Sequence, residues 1–185
     1  MRYIDISLTP QEIKRCVDWT AEKQQYKQDR AVVDQWYDRN SNSQAVDLMG
    51  RLGEIAAARA LELDWSVDLD WNITAGGDTG IDFTAYGYKW DAKTSTLDAL
   101  IFNSDAHFKA DVAVLVQLIG DREHPEAPSA IYRVWGVCSK GKFIKGRVSK
   151  NYAGRDRVAI PAVKMTPVGD FFDYLRRKVW HEEPE

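Results

Sequence analysis

Between Ile81 and Ser95 the chain carries Asp82, Asp91 and Lys93 inside two runs that otherwise read as strands, Ile81 to Tyr86 and Tyr88 to Ser95. Charges within a sheet are costly unless they are paired or hold a metal ion. A fold for this chain must therefore bring these groups together. Gly87 falls between the two runs, where a tight hairpin turn needs a residue that tolerates positive φ. Side chains alternate along a strand, so Asp91, Lys93 and Ser95 share one face, and Trp90, Ala92 and Thr94 share the other. Asp82 faces opposite to Ile81 and Phe83. If the hairpin pairs, Asp82 and Asp91 converge.

The surrounding pattern sets the fold class. Thr9-Pro10-Gln11-Glu12 has an N-cap, a proline at the first helical position and a capping-box glutamate. A helix follows, and residues 21 to 42 are a polar continuation ending in a loop. A second helix is expected from Ser43 to about Leu63. Leu48, Leu52, Ile55, Ala56 and Leu63 form one stripe, interrupted by Arg59. Val46, Gly50, Gly53, Ala57 and Leu61 form another, so the helix packs on more than one side. Trp65 to Trp71 is a weak strand candidate. Val112 to Ile119 is the most apolar run and suits a central strand. Ile131 to Ser139 is a further strand, and turns are expected at Gly141 and Gly146. A short strand is expected around Arg157 to Ile160. Thr166-Pro167 opens a last helix, Val168 to Trp180. Helix, strands and helix in this order predict an α/β (α+β) domain around one mixed β-sheet flanked by helices. The 185 residues, 44% of them apolar, suffice for one domain. It divides into a helical N-terminal appendage (1–42), a core (43–139), and a basic strip with the C-terminal helix (140–185).

Cys16 and Cys138 lack the neighbours of a zinc site and read as reduced thiols. No signal-like or membrane-length apolar run is present, which predicts a cytoplasmic protein and no membrane partner. The formal net charge is −3, but it is unevenly spread. From Arg133 to Lys164 there are nine basic residues and one acidic residue, Asp156, so this stretch carries +8 and the remainder −11. A basic strip on an acidic body suits a polyanion, and it equally suits a solvated basic loop. Lys140, Lys142, Lys145, Arg147, Lys150, Arg155 and Arg157 are the candidate nucleic-acid contacts.

Glu54 lies among Gly53, Ala56, Ala57 and Ala58. Small residues let a helix approach a sheet closely, which can bring a third carboxylate toward Asp82 and Asp91. Converging carboxylates repel unless they share a proton or a hard cation. Mg²⁺ takes oxygen ligands in an octahedron and keeps several waters. A lysine beside it can orient a metal-bound water or stabilise charge building on a phosphate. The acidic-x-Lys fragment alone carries no weight, since Glu12-Ile13-Lys14 matches it at a helix start. Asp91-Ala92-Lys93 differs by its strand context. Residue types alone equally allow a structural ion network in which Lys93 pairs Asp91 or Asp82. Gln117 faces with Asp111, Ala113 and Leu115, either toward the site or as a satisfied core amide.

Gly53-Glu54-Ile55-Ala56 on a helix, then Gly80-Ile81-Asp82-Phe83, then Trp90-Asp91-Ala92-Lys93-Thr94-Ser95 resembles the PD-(D/E)XK nuclease superfamily. The likeness is closest to small phage and bacterial members and spans roughly Gly50 to Ser139. Ile81 stands where the family usually has proline. The resemblance implies a restriction-endonuclease-like fold and hydrolysis of nucleic acid, DNA more than RNA, with Mg²⁺ or Mn²⁺. It further implies Asp82, Asp91, Glu54 and the Ala92 carbonyl as metal ligands, with Lys93 as the catalytic lysine. A homodimer would supply two sites to a duplex. The rival expectations are a catalytically silent nucleic-acid-binding protein of the same fold and an RNA-directed nuclease.

Overall fold

The computed structural model describes residues 3–29, 43–73, 79–152 and 154–180. Residues 30–42, where the polar continuation is expected to end in a loop, lie outside the described residues. Strand β1 (Ile4–Ile6) leads into α1 (Pro10–Asp29) and α2 (Ser43–Ala60). The α1 start is the expected capping box. Glu12 accepts from the Thr9 amide at 2.6 Å, and the Glu12 amide donates back to the Thr9 hydroxyl at 3.3 Å. Helix α2 ends where Glu62 takes a positive φ.

The Trp65–Trp71 segment is not a strand. It opens with one helical turn, α3 (Trp65–Asp68), because the Asp64 carboxylate caps the Ser66 amide at 3.0 Å. Then come β2 (Phe83–Ala85) and β3 (Tyr88–Ser95). Tyr86 and Gly87 both have positive φ in the turn between them, as a two-residue hairpin requires. The strand β5 (Val112–Ile119) follows β4 (Ala99–Phe102), and β6 (Ile131–Ser139) follows β5.

The main sheet has the order β1-β6-β5-β3-β2. Strands β3 and β5 are parallel and the other neighbours antiparallel, so the sheet is mixed. As its apolar run predicts, β5 is central. Beyond Leu115 the β5–β6 register shifts by one residue, leaving Trp135 as a bulge.

The expectation of a single sheet is corrected. After β6 the chain forms α4 (Lys140–Gly146), β7 (Val148–Tyr152) and β8 (Arg155–Pro161), and a second sheet runs β4-β8-β7. Gly141 is in a helix rather than a turn. The Ser139 hydroxyl caps the Lys142 amide and Phe143 is fully buried, so the segment has both a cap and an apolar anchor. Helix α5 (Val168–Trp180) matches its expected bounds.

The main sheet thus has two buried faces. On one, Trp90, Ala92, Val112, Val114 and Val116 pack with α2 and α5. On the other, Ala113, Leu115 and Cys138 pack with Leu100, Phe102, Phe143 and Ile160 of the smaller sheet and α4. Strand β1 pairs with the outer edge of β6, and α1 lies against α2.

Candidate functional site

Strand alternation sends Trp90 and Ala92 into the α2 core. Asp91 and Lys93 go to the opposite face, toward the smaller sheet. Asp91 is fully buried. The Lys93 ammonium lies 2.5 Å from Asp91 Oδ1, with its side chain 32% exposed, and sits 5.7 Å from the centre of the Phe102 ring. The buried carboxylate therefore has its counter-charge at the solvent end of the same strand face.

Asp82 stands just before β2 and faces the open side of β3. Its amide donates to the Trp90 carbonyl at 2.8 Å, and its carboxylate accepts from the Ala92 amide at 2.6 Å. The side chain thereby continues the ladder that the short β2 leaves off. In an extended strand the N–H and C=O of one residue point to the same side, so the Ala92 carbonyl also faces the edge where Asp82 stands. The register Phe83↔Trp90 brings Asp82 and the Asp91-Ala92 pair together.

Glu54 is arranged differently. Gly53 approaches β3 so closely that a Cβ there would collide with the Thr94 side chain, the intimate contact the small residues predict. The Glu54 carboxylate is held by Arg51 at 2.5 Å. Arg51 is itself buried. Its guanidinium lies 4.0 Å from the Trp19 ring centre and 4.8 Å from that of Trp71, and it donates to the Asp70 carbonyl at 3.0 Å. The Asp70 amide in turn donates to the Asp82 carbonyl at 3.1 Å. Arg51 is thus joined to Asp82 through one backbone link. Sequence reading missed it, although the i,i+3 spacing of Arg51 and Glu54 on a helix was a usable signal. Among the described residues no group of three His, Cys, Asp or Glu side chains is placed to hold a metal ion. Asp82 stands beside the Asp91-Ala92 pair, and Glu54 pairs with Arg51.

Gln117 is a satisfied amide. It donates to the Thr96 carbonyl at 3.1 Å and accepts from the Trp135 indole at 2.9 Å. Of the basic residues, Lys140, Lys142 and Lys145 are on α4, Lys150 on β7, and Arg155 and Arg157 on β8. Arg147, at the end of α4, is ion-paired to Asp105 at 2.5 Å, and Lys142 donates to the Thr166 hydroxyl at 3.0 Å. This basic layer covers the same side of the main sheet as Asp91 and Lys93. Both cysteines are free and buried. Burial pushes the Cys16 thiol up to about 12, with Arg51 opposing and Glu54 adding to the effect. Burial also pushes the Cys138 thiol up to about 11. No helix among the described residues is long and apolar enough to cross a membrane.

No protein-family model, curated protein or solved structure matches the chain.

Proposed function

We propose that the chain is a divalent-metal-dependent nuclease that hydrolyses phosphodiester bonds in DNA. The observation that carries this reading is the juxtaposition at β3. A buried carboxylate with an adjacent lysine and a second carboxylate at the strand's open edge lie on the side covered by the basic layer.

The donor set fits a hard cation. Asp82, Asp91 and the Ala92 carbonyl are all oxygen donors, and Mg²⁺ is commonly held by one or two carboxylates with water completing its shell. The bound cation would supply a nucleophilic water at neutral pH and neutralise charge on the phosphate. Asp82 and Asp91 would hold it. Lys93, partly exposed, orients a water and stabilises developing negative charge. Glu54 serves as the partner of Arg51, which is joined to Asp82 through the Asp70 segment. Lys140, Lys145, Lys150, Arg155 and Arg157 attract the phosphate backbone.

A silent nucleic-acid-binding protein is the second reading. The Lys93–Asp91 pair and the Glu54–Arg51 pair favour it, because each also satisfies a charge without a metal. The test is cleavage of supercoiled plasmid and of single- and double-stranded DNA and RNA with Mg²⁺, Mn²⁺ or EDTA, beside Asp91→Asn and Lys93→Ala. Metal-dependent cutting of DNA lost in both variants supports the nuclease. Binding without cutting in all three proteins supports the silent reading, and cutting confined to RNA changes the substrate.

A further inference from the structure

We infer that the β7–β8 hairpin is a two-stranded ribbon that enters the major groove of duplex DNA. The inference rests on the nucleic-acid reading above and names the form of its substrate. Every residue from Val148 to Asn151 is exposed, on both faces of the strand. A strand packed on a core would show exposure on one face only, so this end of the hairpin stands off the body. At the base, Leu100, Phe102, Val158 and Ile160 share the inward face and pack with Phe143.

The antiparallel register puts Lys150 directly opposite Arg157 and Tyr152 opposite Arg155. These four residues therefore share the face turned away from that core. The hairpin's acidic residue, Asp156, is opposite Asn151 on the other face and takes a hydrogen bond from it at 3.3 Å. Like charges directly opposed across a strand pair destabilise it. An opposed Lys150 and Arg157 are therefore a poor choice for folding and a good one for a polyanion. Tyr152 lies beside Lys150, with the ammonium 5.4 Å from its ring centre, so the face combines cations with an aromatic surface.

Width decides the groove. Paired strands lie about 4.8 Å apart. The major groove of B-DNA is roughly 12 Å wide and admits a two-stranded ribbon, while the minor groove is about half as wide. The major groove of A-form RNA is too deep and narrow for side chains to read. Arg155, which is exposed, offers the forked donors that suit guanine N7 and O6, while Arg157 beside it is half-buried with its Nε enclosed, and the α4 lysines are left to follow phosphates.

The experiment uses the full chain in EDTA, with a fluorescent DNA duplex and a duplex RNA of the same sequence. Guanine N7 methylation by dimethyl sulfate reports the major groove. The first variant is Lys150→Glu, which turns the opposed pair into an attractive one. Its thermal midpoint is expected to hold or rise while DNA affinity falls about tenfold or more. The second is Lys150→Ala/Arg155→Ala/Arg157→Ala. It is expected to lose guanine protection and to flatten the log–log salt slope by only about 0.9, for the one phosphate contact left to Lys150. RNA affinity should respond much less. Variants that bind DNA within twofold of the wild type, or a wild-type complex that leaves guanine N7 unprotected, would overturn the ribbon. Cutting without protection removes the ribbon and leaves the nuclease. Protection without cutting does the reverse.

Discussion

Gly53 lies against Thr94 with no room for a methyl group between them: a Cβ on the glycine would coincide with the threonine hydroxyl. This contact sets how closely α2 packs on β3, and so where the helix holds Arg51 and Glu54 relative to the strand that carries Asp91 and Lys93. The Thr94 hydroxyl is buried with no hydrogen-bond partner among the described residues. Its place there is steric.

Gly53→Ala should therefore destabilise the protein, although alanine is the better helix former by about 1 kcal/mol. Overpacking typically costs about 1–3 kcal/mol, and the obstacle is the body of a strand residue rather than a flexible tip. A net loss of up to about 2 kcal/mol in urea unfolding is expected from these two terms. Thr94→Ala alone should cost little, since it removes an unsatisfied hydroxyl. Combined, the two should be less harmful than their sum, with a coupling of about 0.5–1 kcal/mol. Strict additivity would mean that the contact does not exist in solution.

Arg51→Lys should be nearly as damaging as Arg51→Met. A guanidinium between two indole rings that also reaches Glu54 and the Asp70 carbonyl uses its planar fork, which an ammonium cannot reproduce. Removing one partner of such a buried pair costs on the order of 3 kcal/mol. The link from Asp70 to Asp82 adds a local signature. The Ala92 amide, bound to the Asp82 carboxylate, should exchange with solvent faster in Arg51→Lys, relative to the change at Val114 in the sheet centre. Equal changes at both amides would reduce Arg51 to a general stabiliser.

Both cysteines should resist a thiol reagent at pH 8 in the native protein and react fully in urea. Burial holds Cys16 near 12 and Cys138 near 11, against about 8.5 for a free thiol. The sign for stability follows. A group whose folded value is raised costs nothing below its unfolded value, so this contribution is intact up to about pH 8.5. Stability then declines as pH climbs toward 11 and 12. Urea midpoints between pH 7 and 10.5 would show the fall, and Cys16→Ala/Cys138→Ala should flatten it. Rapid native labelling would contradict the burial.

What the sequence revealed follows how local each signal is. The β5 and β6 bounds, the α1 cap and α5 were legible because an apolar run or a Thr-Pro start is written in adjacent residues. Strand β1 was not. It is three residues long and is fixed by β6, where Arg133 binds Asp5 at 2.8 Å across more than half the chain. Strand β7 has no apolar alternation, since most of it faces solvent. The place of Asp82 beside the Asp91-Ala92 pair followed from the hairpin turn. The destination of Glu54 did not, because Trp19, Asp70 and Trp71, which hold its partner Arg51, come from other parts of the chain.

Lys93→Ala separates the two readings of the carboxylate pair by stability, without any substrate. In the wild type the ammonium supplies a counter-charge 2.5 Å from the buried Asp91 carboxylate. Withdrawing it should lower the thermal midpoint in EDTA, by an amount corresponding to roughly 1–3 kcal/mol, below the usual cost for a fully buried pair because Lys93 reaches solvent. If Asp82 and Asp91 hold a cation, Mg²⁺ or Mn²⁺ can take over the lost counter-charge. A ligand that binds only the folded state stabilises it by RT ln(1 + [L]/Kd). Millimolar Mn²⁺ should therefore raise the midpoint of Lys93→Ala more than that of the wild type. It should do nothing for Asp91→Asn/Lys93→Ala, where the carboxylate charge is gone. That double variant should also be more stable than Lys93→Ala in EDTA, because no buried charge is left behind. A metal response equal in all three proteins would place cation binding elsewhere and leave Asp91 and Lys93 as a structural pair.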